Sequence, residues 1–446
     1  MQAILPQSLK IPELLSPAGN LKKLKIALEY GADAVYGGVS HFSLRNRSGK
    51  EFDFESFKEG VDYTHTKGKK IYVTINGFPF NSQLKLLEAH IEKMASLKPD
   101  AFIIATPGVV RLARQIAPEI PIHLSTQATV LNVLDAQVFY DLGVKRIVAA
   151  RELSLKDAVA IKRAIPNLEL EIFIHGSMCF AFSGRCLISA LQSGRVPNRG
   201  SCANDCRFDY EYYVRNTEND ALVRFSGKEI YARNPDNGVM MRLEEEEGIG
   251  THIFNSKDLN LAEHIPTILE CGVIDSLKIE GRTKSAYYAG ITAFAYRAAL
   301  DDYAKGAFVK QKYTQELDTL KNRGFSDGYI IHRPYEKLNT QNHFTAISEG
   351  SYQVNAEVSE DGKSALCRHT IRLNEPKEIV SAKLESIKEG KNEIGEIFSK
   401  DGKKYLQFFK ILLENGKELE SIHSGNENPF LLPFSLPAFS FLRQKI

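Results

Sequence analysis

The chain has 446 residues, of which 43% are hydrophobic, 25% charged and 10% aromatic, the profile of a folded globular protein. That excludes disorder, a collagen-like repeat and a coiled coil as descriptions of the whole, and at about 150 residues per domain the length allows two or three domains. With 57 Lys+Arg against 55 Asp+Glu there is no global basic field, so any polyanion site has to be local.

The opening stretch MQAILPQSLKIPELLSPAG has neither the charged start, the apolar core nor the cleavage site of a secretory signal, and no run reaches 18 apolar residues, which predicts a cytoplasmic protein without membrane segments. Six cysteines are too few for a secreted disulfide scaffold.

From about residue 12 to 282, short apolar or β-branched runs alternate with stretches of helical period, the pattern of repeated βα units. Eight strands are predicted: Glu13 to Leu15, Ala34 to Tyr36, Ile71 to Ile75, Ala101 to Ala105, Ile122 to Ser125, Arg146 to Ala149, Leu170 to Ile174 and Ser276 to Ile279. Amphipathic stretches such as LKKLKIALEYGA and SQLKLLEAHIEKMASLKP lie between them and end in Gly or Pro breakers. A doubly wound open sheet would give a similar local pattern, but the count of eight favours a TIM-type (β/α)8 barrel. The connection between the seventh and eighth strands is about 100 residues long, so it must hold inserted structure or a site. After the helical YYAGITAFAYRAALDDYAKG and the turn-rich RGFSDGY, the character changes near residue 340. YQVNAEVS, IVSAKLESI and KKYLQFFKIL, separated by turn signals, predict a small antiparallel β-barrel or sandwich. The expected organisation is a barrel over 1–335 with an insertion at about 176–250, then a β-rich domain over 340–446.

The long connection holds Cys179, Cys186, Cys202 and Cys206, spaced C-x6-C-x15-C-x3-C, while Cys271 and Cys367 stand apart. Four thiolates brought together by a returning loop can hold a structural zinc or an iron–sulfur cluster. The spacing matches neither the common zinc-finger nor the ferredoxin pattern, so it leaves the metal open; the alternative is buried free thiols packing as small apolar residues. Arg185, Arg195, Arg199 and Arg207 interleave with the cysteines, and guanidinium forks suit carboxylates and phosphates.

In a TIM-type barrel, chemistry sits at the C-terminal ends of the strands. The polar residues there are Ser16, Asn76, Gln127, Arg151, Glu152, His175, Lys278, Glu280 and Arg282. His175, Glu152, Lys278 and Glu280 are the catalytic candidates. Gln127, Arg151, Arg185, Arg195, Arg199 and Arg282 are the candidates for binding substrate. The alternatives are a salt-bridged network closing the mouth for the charged set and a satisfied core position for His175. Gly37, Gly38 and Gly108 are turn residues, since no phosphate-loop motif accompanies them.

The run Glu171, Phe173, Gly176, Ser177, Met178, Cys179, Gly184, Cys186, Ile188 and Ser189, with ELLSPAGN, ADAVYGG, HLSTQ, Arg151-Glu152-Leu153, NSKDL, LKIEGR and RGFSDGY, resembles the collagenase-like peptidase family, family 32 of the unknown-type peptidases. The resemblance spans roughly residues 11 to 330, and the length with the β-rich tail is similar to the tRNA-hydroxylation branch. It implies two activities: proteolysis with collagen or peptide substrates, from the family name, and oxygen-independent hydroxylation of a wobble uridine to 5-hydroxyuridine in tRNA, from this branch. For the branch it further implies an iron–sulfur cluster, 4Fe-4S, held by Cys179, Cys186, Cys202 and Cys206, and prephenate, a small dicarboxylate, as hydroxyl source. Thr106 departs from the pattern, because relatives often carry an acidic residue there. No HExxH is present, and the adjacency of His175 and Ser177 in sequence gives no hydrogen-bonded geometry, so a peptidase mechanism cannot be written from these residues. The expectation is a tRNA-modifying enzyme, with a collagenase-like peptidase and a non-catalytic RNA-binding scaffold with a structural metal as alternatives.

Overall fold

The computed structural model describes residues 10–39, 42–44, 51–179, 181–193, 256–332, 350–425 and 429–446, together with positions 197, 202, 205–207, 213–216, 219–224, 230–233, 238 and 240–243. The barrel is built in chain order from β1 (Glu13–Pro17), α1 (Leu21–Glu29), β2 (Ala34–Gly37), α2 (Phe54–Thr66), β3 (Lys70–Ile75), α3 (Leu84–Ala95), β4 (Ala101–Ile104) and α4 (Pro107–Ile116). It continues through β5 (Ile122–Leu124), α5 (Val133–Asp141), β6 (Arg146–Val148), α6 (Leu155–Ala164) and β7 (Glu169–Ser177). The long connection then carries α7 (Ile188–Ser193), two hairpins, β8 (Tyr213–Arg215) with β9 (Leu222–Arg224) and β10 (Ile230–Arg233) with β11 (Met240–Leu243), and β12 (Asp258–Asn260). α8 (Ile265–Cys271), β13 (Ser276–Ile279), α9 (Ala286–Ala304), α10 (Lys310–Leu317) and β14 (Phe325–Ser326) follow.

β13 pairs in parallel with both β1 and β7, which closes the sheet into an eight-stranded parallel barrel. All eight predicted strands are present, with ends shifted by at most a few residues. β7 runs longest, because past the β13 pairing its last residues pair antiparallel with β12.

Local sequence fixes the helix starts. Asn20 caps α1 by accepting from the Lys23 amide, Asp53 and Ser56 form a capping box on α2, and Ser285 caps α9. α9 is apolar on nearly every side and almost wholly buried. It lies between the barrel and the C-terminal sheet, and a helix covered on all sides needs no polar face.

The lower part of the barrel interior is filled by charges. Arg146 bonds Glu13 at 2.6 Å and Glu171 at 3.2 Å, and Lys278 bonds Glu171 at 2.8 Å. Glu171 is 0% exposed, and a charge so placed persists only when paired. Tyr72 donates to Glu13 at 2.7 Å, and the Lys278 ammonium lies 4.4 Å from the centre of the Tyr36 ring.

Residues 350–446 form an eight-stranded antiparallel sheet in the order Gly390–Lys391, Gly395–Lys400, Lys403–Phe408, Lys377–Val380, Phe441–Lys445, Tyr352–Val358, Ser364–Cys367 and Phe430–Leu431. Phe441 and Phe439 join the core of the barrel's outer helices, and Tyr30 on the α1 side donates to the Val380 and Phe439 carbonyls. Arg443 reaches Glu316 on α10 at 2.5 Å and Tyr287 on α9 at 2.7 Å. The expected change of character near residue 340 lies outside the described residues. Among the described residues, no helix is long and apolar enough to cross a membrane.

Candidate active site at the barrel mouth

The strand ends bring three polar groups to the C-terminal mouth. Asn76, after β3, lies 3.5 Å from both the Ser125 hydroxyl and the Gln127 side-chain oxygen, after β5, and Ser125 bonds Gln127. Arg282, after β13, donates to Ser43 at 2.7 Å, to Thr74 at 2.9 Å and to the Leu44 carbonyl. Arg151, after β6, lies 3.7 Å from the Glu280 carboxylate and 4.1 Å above the Phe173 ring.

The loop that follows β7 is drawn down onto these strand ends. Glu152 accepts from the Ser183 amide at 3.1 Å, the Ser183 hydroxyl accepts from the Arg151 amide at 3.3 Å, and Thr129 donates to the Ser183 carbonyl at 2.6 Å. Gly184 has φ +74°, and a Cβ there would lie 2.4 Å from the Gln127 carbonyl oxygen. Only glycine fits this contact. Cys179 and Cys186 flank the fixed segment in sequence. Burial pushes the Cys186 thiol up, and the nearby Cys179 and Cys202 thiols add to that, while the Ile188 and Ser189 amides oppose it.

The two glutamates of the mouth differ. Glu280 is buried beside Arg151, and its carbonyl accepts from Tyr288 at 2.7 Å. One oxygen of Glu152 holds the loop, while Oε2 is buried and has no hydrogen-bond partner among the described residues.

Lys278 does not stand at the mouth. Its salt bridge to Glu171 places it in the charged interior. His175 is enclosed by Tyr288, Tyr296 and Phe325, with Nδ1 3.3 Å from the Tyr296 hydroxyl. Burial brings its pKa down to about 3, so it is a neutral imidazole near pH 7. Ser16 is fully buried. Arg185 is exposed on the loop, and Thr106, two residues past β4, is the N-cap position of α4. Arg195 and Arg199 lie outside the described residues.

Residues that sequence reading passed over include Ser43, Thr74, Ser125, Thr129 and Ser183, all small hydroxyls. Their one signal is adjacency: Ser125 and Thr129 flank Gln127, and Ser183 precedes the glycine.

As a test of metal fit, the donor set is soft thiolate, which suits zinc and iron–sulfur chemistry. Cys202 and Cys206 are half-buried, as is Cys186, and Cys179 is exposed. Among the described residues, no three His, Cys, Asp or Glu side chains are gathered as a ready metal cage. The sulfurs are chemically suited, and the Cys186 thiol is close enough to those of Cys179 and Cys202 to interact with them.

Fold and site together define a TIM-type barrel with a cysteine-bearing loop pinned across its C-terminal mouth. The profile of peptidase family U32 matches residues 19–340, and the chain belongs to that family. It is 67% identical over 434 residues to a Helicobacter pylori protein named tRNA hydroxylation protein P, covering 97% of this chain and 99% of that one. It is 34% identical to the Escherichia coli 23S rRNA 5-hydroxycytidine C2501 synthase over 65% of this chain and 39% of that one. A Porphyromonas gingivalis protein named collagenase is 28% identical over 72% of this chain and 73% of that one.

Proposed function

We propose that this chain is a tRNA-modifying enzyme that hydroxylates a wobble uridine to 5-hydroxyuridine without molecular oxygen, in the cytoplasm. The observation that carries the reading is the near full-length, two-thirds identity to a protein named for tRNA hydroxylation. The mouth supports it, because the loop that carries Cys179 and Cys186 is pinned to a polar, partly unsatisfied floor. Such a floor can receive a base flipped out of an RNA strand.

In this reading Cys179, Cys186, Cys202 and Cys206 hold an iron–sulfur cluster of the 4Fe-4S type, and prephenate is the small dicarboxylate co-substrate. A cluster would supply one-electron chemistry or an open iron. The chain's own residues bind and orient: Arg151 and Arg282 present guanidinium groups at the rim, Gln127 and Asn76 offer amides to a base edge, and Glu152 Oε2 awaits a donor.

Mass spectrometry of tRNA nucleosides from cells with and without the gene tests the activity. Loss of hydroxyuridine in the deletion is expected, and an unchanged level in a strain with no second enzyme for the modification refutes it. Anaerobic purification tests the cofactor: a brown protein with iron and sulfide is expected, whereas a colourless zinc protein refutes the cluster. The peptidase alternative is less supported, because His175, near the end of β7, is buried among aromatic rings.

A further inference from the structure

A cleft of about 1140 Å³ lies between the barrel and the C-terminal sheet, larger than the roughly 300–1,000 Å³ of most small-molecule pockets. One wall is the β1–α1 turn and the β13–α9 turn, packed so closely that a Cβ on Gly19 would lie 2.1 Å from the Arg282 carbonyl oxygen. The other wall comes from the sheet strand Tyr352–Val358 and from Arg368.

The charge of this lining is uneven. Among the described residues, Lys22, Lys23, Arg282, Lys284, Lys321 and Arg368 line it beside two carboxylate side chains, Glu51 and Glu357. Glu357 is already shared, with Lys22 and Arg368 both bonded to it. Lys23 donates to the Arg282 carbonyl at 3.2 Å, and burial lowers its pKa while Glu51 and Glu357 oppose the shift. In a chain whose 57 basic residues are balanced by 55 acidic ones, this is a local excess of positive charge.

The cleft also adjoins the mouth, since Arg282 and Tyr288 belong to both. Most of its cations are lysines, which bind phosphate as flexible point charges without a demand on sequence. We propose that this cleft carries the sugar–phosphate backbone of the RNA whose base enters the mouth, with Lys284 and Lys321 among the phosphate contacts. The proposal rests on the tRNA reading above. It adds a path for the strand and gives the C-terminal sheet a role as its second bank.

The test is binding of an unmodified tRNA transcript to the full chain across roughly 50 to 200 mM salt, where each lost phosphate contact lowers the slope of log K against log salt by about 0.7–0.9. Lys284→Gln with Lys321→Gln is expected to lower the slope by about 1.5 with an unchanged melting temperature. Lys388→Gln with Lys417→Gln, which removes two exposed charges outside the cleft, is expected to leave it unchanged. If the double variant is unstable, Lys321→Gln alone, at an exposed side chain, should lower the slope by about 0.7. A folded cleft variant with the wild-type slope and affinity overturns the cleft and leaves the tRNA reading standing. Wild-type protein that binds no tRNA overturns both. A folded variant that loses binding of inorganic phosphate yet keeps the wild-type tRNA slope also overturns the proposal and gives the cleft to a small anion.

Discussion

Gly184→Ala separates the position of the cysteine loop from the integrity of the barrel. The new Cβ would sit 2.4 Å from the Gln127 carbonyl oxygen, where ordinary contacts begin at 3.4 Å, so the loop must retreat by about 1 Å. The left-handed backbone adds about 1–2 kcal/mol for a residue with a side chain. Three holds on Ser183 resist the retreat, from Glu152, Arg151 and Thr129, each worth about 1 kcal/mol. Strain and holds are therefore of similar size, and the loop shifts rather than detaching. A displacement of about 1 Å at reacting groups can cost about 100-fold in rate. Hydroxyuridine formation on a tRNA transcript, read by nucleoside mass spectrometry, should fall by one to two orders of magnitude. The melting temperature should stay near wild type, because the loop lies outside the barrel's apolar core. Wild-type activity in Gly184→Ala would refute the claim that the pinned loop sets the geometry of the reaction.

Cys179→Ala should abolish bound iron and hydroxylation while Cys367→Ala, in the C-terminal sheet where its thiol donates to the His369 carbonyl at 3.1 Å, keeps both; equal iron contents by elemental analysis would remove the ligand assignment. Lys278→Met should destabilise the fold by about 3–5 kcal/mol in denaturant unfolding, because it leaves Glu171 buried against Arg146 alone; a loss below about 1 kcal/mol would show that the interior charges are not coupled as described. His175 titrates at about 3 in the folded chain against about 6.5 unfolded, so its contribution is fully present above pH 6.5 and is lost as pH falls toward 3. His175→Asn should therefore lose less stability than wild type between pH 6.5 and 4 in thermal melts, and parallel pH profiles would contradict the buried neutral imidazole.

The barrel was legible because βα alternation is a repeated local signal: eight apolar runs, most of them followed by an amphipathic stretch that ends in a breaker. β13 was the hardest of these to place, lying about 100 residues beyond β7, yet SLKI carries its own β-branched and apolar pattern. The cysteines were legible as a cluster by crowding alone. The direction of the charged side chains was not. Lys278, Glu280 and Arg282 read as one set at two-residue spacing, which places them on one face of an ideal strand. In the fold, β13 ends at Ile279 after an irregularity at Lys278/Ile279, so Lys278 turns to Glu171 inside while Glu280 and Arg282 leave from the following turn. The contacts of Ser183 and Gly184 with Thr129 and Gln127 span more than 50 positions and follow no period, so no local pattern could announce them.

The interior charges and the mouth residues divide along the same line. Glu13, Arg146, Glu171 and Lys278 satisfy one another deep in the barrel, which leaves that layer no free capacity to bind a ligand. Above it, Phe173 forms a floor beneath the Arg151 guanidinium, and Asn76, Gln127, Arg151, Glu152, Glu280 and Arg282 all come from the turns that follow their strands. Turns can be re-aimed without unsettling the sheet. Of the two glutamates held there, Glu280 is committed to Arg151, whereas Glu152 spends one oxygen on the loop and keeps the other open. Glu152 is thus one of the three holds on the cysteine loop, beside Thr129 and the Arg151 amide, and the one that keeps a buried acceptor at the mouth.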